Sequence, residues 1–188
     1  MNCLILMGGK SSRMGTDKSL LDYHGKPQRE YLHDLAKKYC SEVYFSCTEE
    51  QVFSEKIIID NHSLGPIGGI VSAFEYDKNV AWLVVACDMP LIDEANFETL
   101  IKNRNTEKVA TAYFNNENNA PDPLFTIYEP KAADLLFTYI KAGSKSPKAF
   151  LQKTDIQLIR SENSDFLKNI NTKIEFDKLT YLRKKSKN

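Results

Sequence analysis

Leu6-Met7-Gly8-Gly9-Lys10-Ser11-Ser12-Arg13-Met14-Gly15-Thr16-Asp17-Lys18 is the stretch from which this 188-residue chain is read. It follows an apolar run, Cys3 to Leu6, that reads as a buried strand. It combines three glycines, hydroxyl residues, one arginine and two lysines. That mixture suits a loop wrapped round phosphates. Glycine lets backbone N–H groups approach and turn toward an anion. Lysine and arginine supply positive charge, and arginine adds a fork of donors.

Spacing excludes two familiar phosphate loops. A Walker A loop needs Gly, four residues, then Gly-Lys-Ser/Thr, whereas Gly15 is followed by Thr16-Asp17-Lys18. The dinucleotide fingerprint Gly-x-Gly-x-x-Gly is not met by Gly8, Gly9 and Gly15. What remains is a longer loop ending in Asp-Lys. The alternative, a glycine-rich turn with a solvated basic face, leaves its place after a buried strand unexplained.

Outward from this loop, strands and helices alternate. Asn2–Met7 is the first strand, and His24-Gly25-Lys26-Pro27 marks a turn. A helix is predicted from Gln28 to Tyr39, with Leu32, Leu35 and Ala36 on one face. Glu42–Cys47 reads as the second strand and Lys56–Asp60 as a buried third. Leu64-Gly65-Pro66-Ile67-Gly68-Gly69-Ile70 reads as a turn, with a helix following to about Lys78. Ala81–Cys87 is the clearest buried strand and ends in Asp88-Met89-Pro90. Asp93 caps a helix running to Lys102. Strands are predicted at Val109–Phe114 and Leu124–Tyr128, with Asn115–Asn119 a mobile polar tip between them. Helices follow from Pro130 toward Gly143 and from Pro147 through Leu151. Ile156–Ile159 and Asp165–Lys168 read as short edge segments, and a last helix covers Phe176–Leu182. This alternation predicts one α/β domain over 1–188, three layers with a mainly parallel sheet, mixed toward the C-terminal half, and a basic tail at 183–188.

Composition removes several function classes. Lys+Arg and Asp+Glu balance at 25 each, so no global field argues for nucleic acid. No apolar run approaches the ~20 residues that span a bilayer. Met1-Asn2 leads straight into a strand with no basic n-region, so the expectation is a cytoplasmic protein with no signal peptide and no membrane partner. Cys3, Cys40, Cys47 and Cys87 form no Cys-x-x-Cys pair, and His24, His33 and His62 are scattered, which argues against structural zinc. His24 and His62 are expected to be solvated loop residues.

In α/β sheets, ligands lie beyond the carboxyl ends of the strands. Three features fall there: the glycine-rich loop, Asp60 with Gly65–Gly69, and Asp88. An aspartate ending a buried strand beside a phosphate loop is placed to hold Mg²⁺, which takes few protein ligands and keeps waters and substrate phosphates. The competing role for Asp88 is a turn former before Pro90. Arg13 and Lys18 would counter the charge of a triphosphate, or stand as ordinary exposed surface. No Ser-His-Asp, Cys-His or His-Glu-x-x-His arrangement is present. The chemistry implied is charge stabilisation on a nucleotide. Transfer of a nucleotidyl group to an acceptor phosphate fits, because an already ionised phosphate oxygen needs no strong general base.

Gly8-Gly9-Lys10-Ser11-Ser12-Arg13-Met14-Gly15-Thr16-Asp17-Lys18, Gly65-Pro66-Ile67-Gly68-Gly69-Ile70, Cys87-Asp88-Met89-Pro90-Leu91 and Asn169-Ile170-Asn171-Thr172 together resemble the molybdenum cofactor guanylyltransferases, a MobA-like nucleotidyltransferase family. The resemblance implies a Rossmann-like α/β/α nucleotidyltransferase fold. It implies transfer of GMP from MgGTP to the terminal phosphate of molybdopterin, releasing pyrophosphate. Leu6, Met7 and Gly8 would meet the guanine and ribose through backbone, with Gly9 and Gly15 in the phosphate loop and Gly65 in the opposite wall. Lys18 would lie on the phosphates, Asp60 near the nucleotide, and Asp88 on both GTP and Mg²⁺. Asn169 and Asn171 would lie near the pterin acceptor or the metal. Other proteins of molybdenum cofactor synthesis are implied as partners.

The chain departs from the usual pattern at four places. Met7 stands where alanine is usual, and Gly-Pro-Ile-Gly-Gly where Gly-Pro-Leu-Ala-Gly is common; both read as packing changes. Thr172-Lys173 replaces the customary Thr-Pro. The Gly143–Lys148 segment keeps Lys145 and Lys148 without an arginine. Related alternatives are a cytidylyltransferase, a sugar-phosphate nucleotidyltransferase, or a nucleotide-binding module without turnover. Retention of both Lys18 and Asp88 argues against the last.

Overall fold

The computed structural model describes residues 1–7, 18–49, 53 and 56–185. Among them the strands are β1 (Asn2–Leu6), β2 (Val43–Cys47), β3 (Ile57–Ile59), β4 (Trp82–Ala86), β5 (Ala110–Asn115), β6 (Ala120–Tyr128) and β7 (Ile156–Ile159). The helices are α1 (Gln28–Ala36), α2 (Pro66–Tyr76), α3 (Glu94–Lys102), α4 (Ala132–Lys141), α5 (Pro147–Lys153) and α6 (Lys173–Lys185). The strands form one sheet in the order β3-β2-β1-β4-β6-β5-β7. Pairing is parallel from β3 through β4 and again between β5 and β7. Only β6, among the described strands, runs against its neighbours. The sheet is therefore mainly parallel and mixed, as the pattern of alternation predicts.

Burial explains which strand is central. Every residue of β4 is buried, because β1 and β6 flank it and helices cover it. A run with no polar alternation is what a strand covered on both faces requires. Helix α1 packs on α3, and α2 on α4, while β1 touches both α1 and α2. That is the helix–sheet–helix layering expected of the fold class.

Several local expectations are corrected. Helix α2 begins at Pro66, so Gly68 and Gly69 belong to its first turn and not to a preceding loop. Pro66 occupies the first helical position, where its missing N–H costs nothing. Strand β6 starts at Ala120 and not at Leu124. Its prolines lie beyond the stretch paired with β4, which runs from Phe125 to Tyr128, so they remove no donor from that ladder. Asp165–Leu167 is a 3-10 turn and not an edge strand. Asn163 and Ser164 nucleate it by accepting the N–H groups of Asp165 and Leu167. The tip at Asn115–Asn119 is tied down. The Asn115 side chain accepts N–H bonds from Glu117 and Asn118, and Asn116 is bonded to Ser161 and Ser164.

Helix α6 starts without the customary proline because another device replaces it. Glu175 accepts from the Thr172 N–H and hydroxyl, and its own N–H donates to that hydroxyl. This is a reciprocal capping box. Phe176 meets Tyr23 edge-on at 4.9 Å, which docks α6 on the segment after the glycine-rich stretch.

Candidate active site

Strands β1, β2 and β3 are laid down in one direction, and β4 then returns to the other side of β1. The carboxyl ends of β1 and β4 thus flank the point where strand order reverses, the usual crevice for a ligand. Leu6 ends β1, Met7 follows it, and both are buried. The Leu6 carbonyl accepts from Cys87 N–H at 3.0 Å, and Met7 N–H donates to the Ser46 carbonyl at 3.0 Å. The backbone after β1 is thereby held level with Asp88. Gly8, Gly9, Arg13 and Gly15 lie outside the described residues, as does the side chain of Lys18. The Lys18 backbone opens a 3-10 turn through Leu20.

Asp60 and the glycines of α2 form one packed unit. Asp60 N–H donates to Cys47, extending the β2–β3 ladder past its end. A Cβ on Gly68 would lie 2.5 Å from Asp60 Oδ1, and one on Gly69 would lie 2.5 Å from Ser46 Oγ and 2.8 Å from a Leu6 methyl. The double glycine therefore lets the helix start close against Asp60 and the ends of β1 and β2. Asp60 Oδ1 also accepts from His62 N–H at 2.9 Å. Gly65, at φ +69°, turns the chain into α2 in a conformation that L residues rarely adopt.

Asp88 is joined to the late Asn-x-Asn segment across 81 positions of sequence. Its carbonyl accepts from Ile170 N–H at 2.7 Å, and its Oδ2 accepts from Asn169 Nδ2 at 3.4 Å. Asn171 is fixed next door, its N–H bonded to Glu175 at 2.9 Å. The structure thus brings together Asp88, Asn169 and Asn171, and separately Leu6, Met7, Asp60 and Gly65 along the same strand ends.

The histidines are not simply solvated. His24 stacks on Tyr31 with ring centroids 3.5 Å apart, and its Nε2 meets the Pro90 carbonyl at 3.1 Å. Tyr31 donates to the Ile92 carbonyl. This pair braces the loop after Asp88 against α1. His62 contacts Glu75 at 2.9 Å. All four cysteines are buried, and burial pushes the Cys3 thiol well up.

Beyond Asn169 opens a cleft of about 800 Å³, lined by Asn115, Asp122, Lys148, Lys168, Asn169 and Asn171 among others. Of the pair Lys145 and Lys148, it is Lys148 that lines it. Asp122 also lines this cleft, a placement that sequence reasoning missed. Between two prolines it reads only as a strand flank. It is 6% exposed, and burial raises its carboxyl above the ordinary range. Hydrogen bonds from Leu124, Asn115 and Phe125 hold that rise back, while the charge of Asp88 adds to it.

A family model described as a MobA-like NTP transferase domain matches residues 3–158. The chain belongs to the MobA-like NTP transferase family. The matched span contains the glycine-rich stretch, Asp60, the α2 glycines and Asp88, while Asn169 and Asn171 follow it. Among relatives of this MobA-like chain is the molybdenum cofactor biosynthesis bifunctional protein of Synechocystis, 35% identical over 94% of the chain. The chain spans 52% of that relative's length. The molybdenum cofactor guanylyltransferase of Pseudomonas entomophila is 28% identical, with 90% of this chain and 92% of that protein aligned. The crystal structure of molybdopterin-guanine dinucleotide biosynthesis protein A from Archaeoglobus fulgidus superposes with a TM-score of 0.79 at 22% identity, covering 98% of this chain and 100% of that one. That likeness establishes the fold: a MobA-like nucleotidyltransferase α/β domain. Members of this enzyme family generally use a divalent metal ion. No helix among the described residues is long and apolar enough to cross a membrane.

The donor set fits such a metal. Among the described residues, hydrogen-bond distance brings together at Asp88 its own carboxylate and the Asn169 amide, both oxygen-bearing groups. No group of three or more His, Cys, Asp or Glu among the described residues could enclose an ion. A hard cation that takes one protein carboxylate and completes its shell with water and substrate phosphate suits that arrangement.

Proposed function

We propose that this chain is a molybdenum cofactor guanylyltransferase, transferring GMP from MgGTP to the terminal phosphate of molybdopterin. The observation that carries the proposal is the direct hydrogen bonding of Asp88, at the end of β4, to Asn169 and Ile170. It couples the nucleotide crevice to the cleft beyond the late loop, as a two-substrate transfer requires. The names of the relatives support guanine as the base and the molybdenum cofactor as the acceptor.

In this reaction an ionised oxygen of the acceptor phosphate attacks the α-phosphorus of GTP. The new P–O bond forms as the bond to the β-phosphate bridging oxygen breaks, and pyrophosphate leaves with that electron pair. No proton needs to be removed from the nucleophile. Mg²⁺ held by Asp88 would supply charge neutralisation on the phosphates. Leu6, Met7 and Gly8 present backbone to the base and ribose. Arg13 and Lys18 counter the triphosphate charge, with Gly9 and Gly15 letting the loop approach. Asp60, seated against Gly68, and Gly65 border the nucleotide from the α2 side. Asn169 orients the Asp88 carboxylate, and Asn171 faces the acceptor. A relative named as a bifunctional protein of molybdenum cofactor biosynthesis, about half of whose length this chain spans, supports contact with another protein of that synthesis.

A nucleotide panel tests the proposal. Purified chain, Mg²⁺ and molybdopterin are mixed with GTP, CTP, ATP or UTP, and pyrophosphate release is followed. Release with GTP only in the presence of acceptor is expected. Equal turnover with CTP would overturn the guanylyl assignment.

A further inference from the structure

Asp122 has two oxygens in different circumstances. Oδ1 accepts backbone N–H bonds from Leu124 at 2.9 Å and Phe125 at 3.1 Å, which fills its lone pairs. Among the described residues, Oδ2 has only a long 3.4 Å contact with Asn115 Nδ2. A buried carboxylate oxygen so weakly served carries a desolvation cost that a strong donor would remove. Asn115 cannot swing in to improve the contact freely, because its own Oδ1 is committed to Glu117 and Asn118. Asp122 lines the cleft, together with apolar Pro123 and Ile170 and the cations Lys148 and Lys168. The cleft therefore offers apolar contact, a buried hydrogen-bond acceptor at Asp122, and lysines that stand beside the acidic Glu117 and Glu175. That combination matches a fused nitrogen heterocycle with an amino donor, carrying a phosphate.

We infer that Asp122 is a specificity residue for the acceptor, its Oδ2 accepting a hydrogen bond from the exocyclic amino group of the pterin. The inference rests on the acceptor proposed above. Oδ1 keeps the backbone of β6 in place, so the two oxygens divide structure from recognition.

The test uses free pterin (2-amino-4-oxopteridine) and its 2,4-dioxo analogue, in which a carbonyl replaces the amino group. Binding to the full chain is measured by equilibrium dialysis, read by pteridine fluorescence. One charged hydrogen bond predicts that pterin binds on the order of tenfold tighter than the dioxo compound. Asp122→Asn keeps an oxygen for Leu124 and Phe125 but turns a donor toward the ligand. It is expected to erase that preference to within about twofold, with GTP binding unaltered. Equal binding of the two pteridines by the wild type, or no pterin binding, overturns the inference, and this comparison holds even if the variant fails to fold. Equal weakening of both pteridines by Asp122→Asn also overturns it, since that marks a structural role. The nucleotide panel reports separately on the guanylyl assignment: CTP turnover with retained pterin preference would sink that assignment and leave this one standing.

Discussion

The parallel half of the sheet, β3 to β4, and the half built from β6, β5, β7 and the late loop make their functional surfaces differently. In the first half, candidate residues stand where strands end. Leu6, Asp60 and Asp88 are placed by the backbone ladder, and helix α2 is seated on Leu6 and Asp60 by two glycines. In the second half, position is set by side chains. Asp122 is held by two N–H groups of its own strand, Asn171 by Glu175, and Asn169 by Asp88. Backbone placement gives a rigid crevice that tolerates changes of side chain. Side-chain placement gives a cleft whose shape and selectivity hang on a few hydrogen bonds.

The largest effect expected from breaking this contrast is on the hinge between the halves. Asp88→Ala should lower the rate of pyrophosphate release on the order of 10²–10³-fold, the size of losing one key electrostatic group. Near-normal turnover would mean that the metal is held elsewhere. Next is the backbone-built half. Gly68→Ala drives a methyl into Asp60, so a destabilisation of about 1–3 kcal/mol is expected by thermal melting, with a raised KM for GTP. A variant as stable as the wild type would show that α2 does not depend on close seating.

In the side-chain-built half the effects should be smaller and fall on the acceptor. Asn169→Ala removes one hydrogen bond to Asp88, and a loss of about 1 kcal/mol in transition-state stabilisation, read as kcat/KM, is expected. Glu175→Ala removes the cap of α6 at about 0.5–2 kcal/mol and frees Asn171. Acceptor KM should rise while GTP KM stays put; a change confined to GTP KM would reverse the assignment of halves. The smallest effect concerns pH. Burial raises the Asp122 pKa in the folded chain above the ordinary value of 3.8, so folding favours the protonated form. Its stabilising contribution is complete below that value and is lost as pH rises through the raised one. Melting temperature followed across this window should therefore fall more in the wild type than in Asp122→Asn, and identical slopes would contradict the shift.

The first half was also the more legible one. A strand buried on both faces has to be continuously apolar, so Ala81–Cys87 revealed its own position and put Asp88 at its end. The glycine-rich stretch suggests an anion by composition, but Gly8 to Asp17 lie outside the described residues. What misled was Gly68-Gly69, which local propensity assigns to a turn; only the carboxylate and strand ends pressed against them keep those glycines inside α2. The Thr172-x-x-Glu175 box was readable as a helix start and would have replaced the missing proline as a signal.

The sequence by itself determined the mainly parallel, mixed α/β class and the succession of its first strands along the chain, and it nominated the nucleotide-side candidates, because burial and strand ends leave a periodic, local trace. Only the tertiary structure decided that Asp122, Asn115, Lys148 and Asn169 face one cleft. Those residues are brought together by the antiparallel return of β6 and by the late loop folding back onto β4. Contacts of that separation leave no mark in neighbouring residues, since Asp122, Asn115 and Lys148 each read locally as an ordinary polar residue.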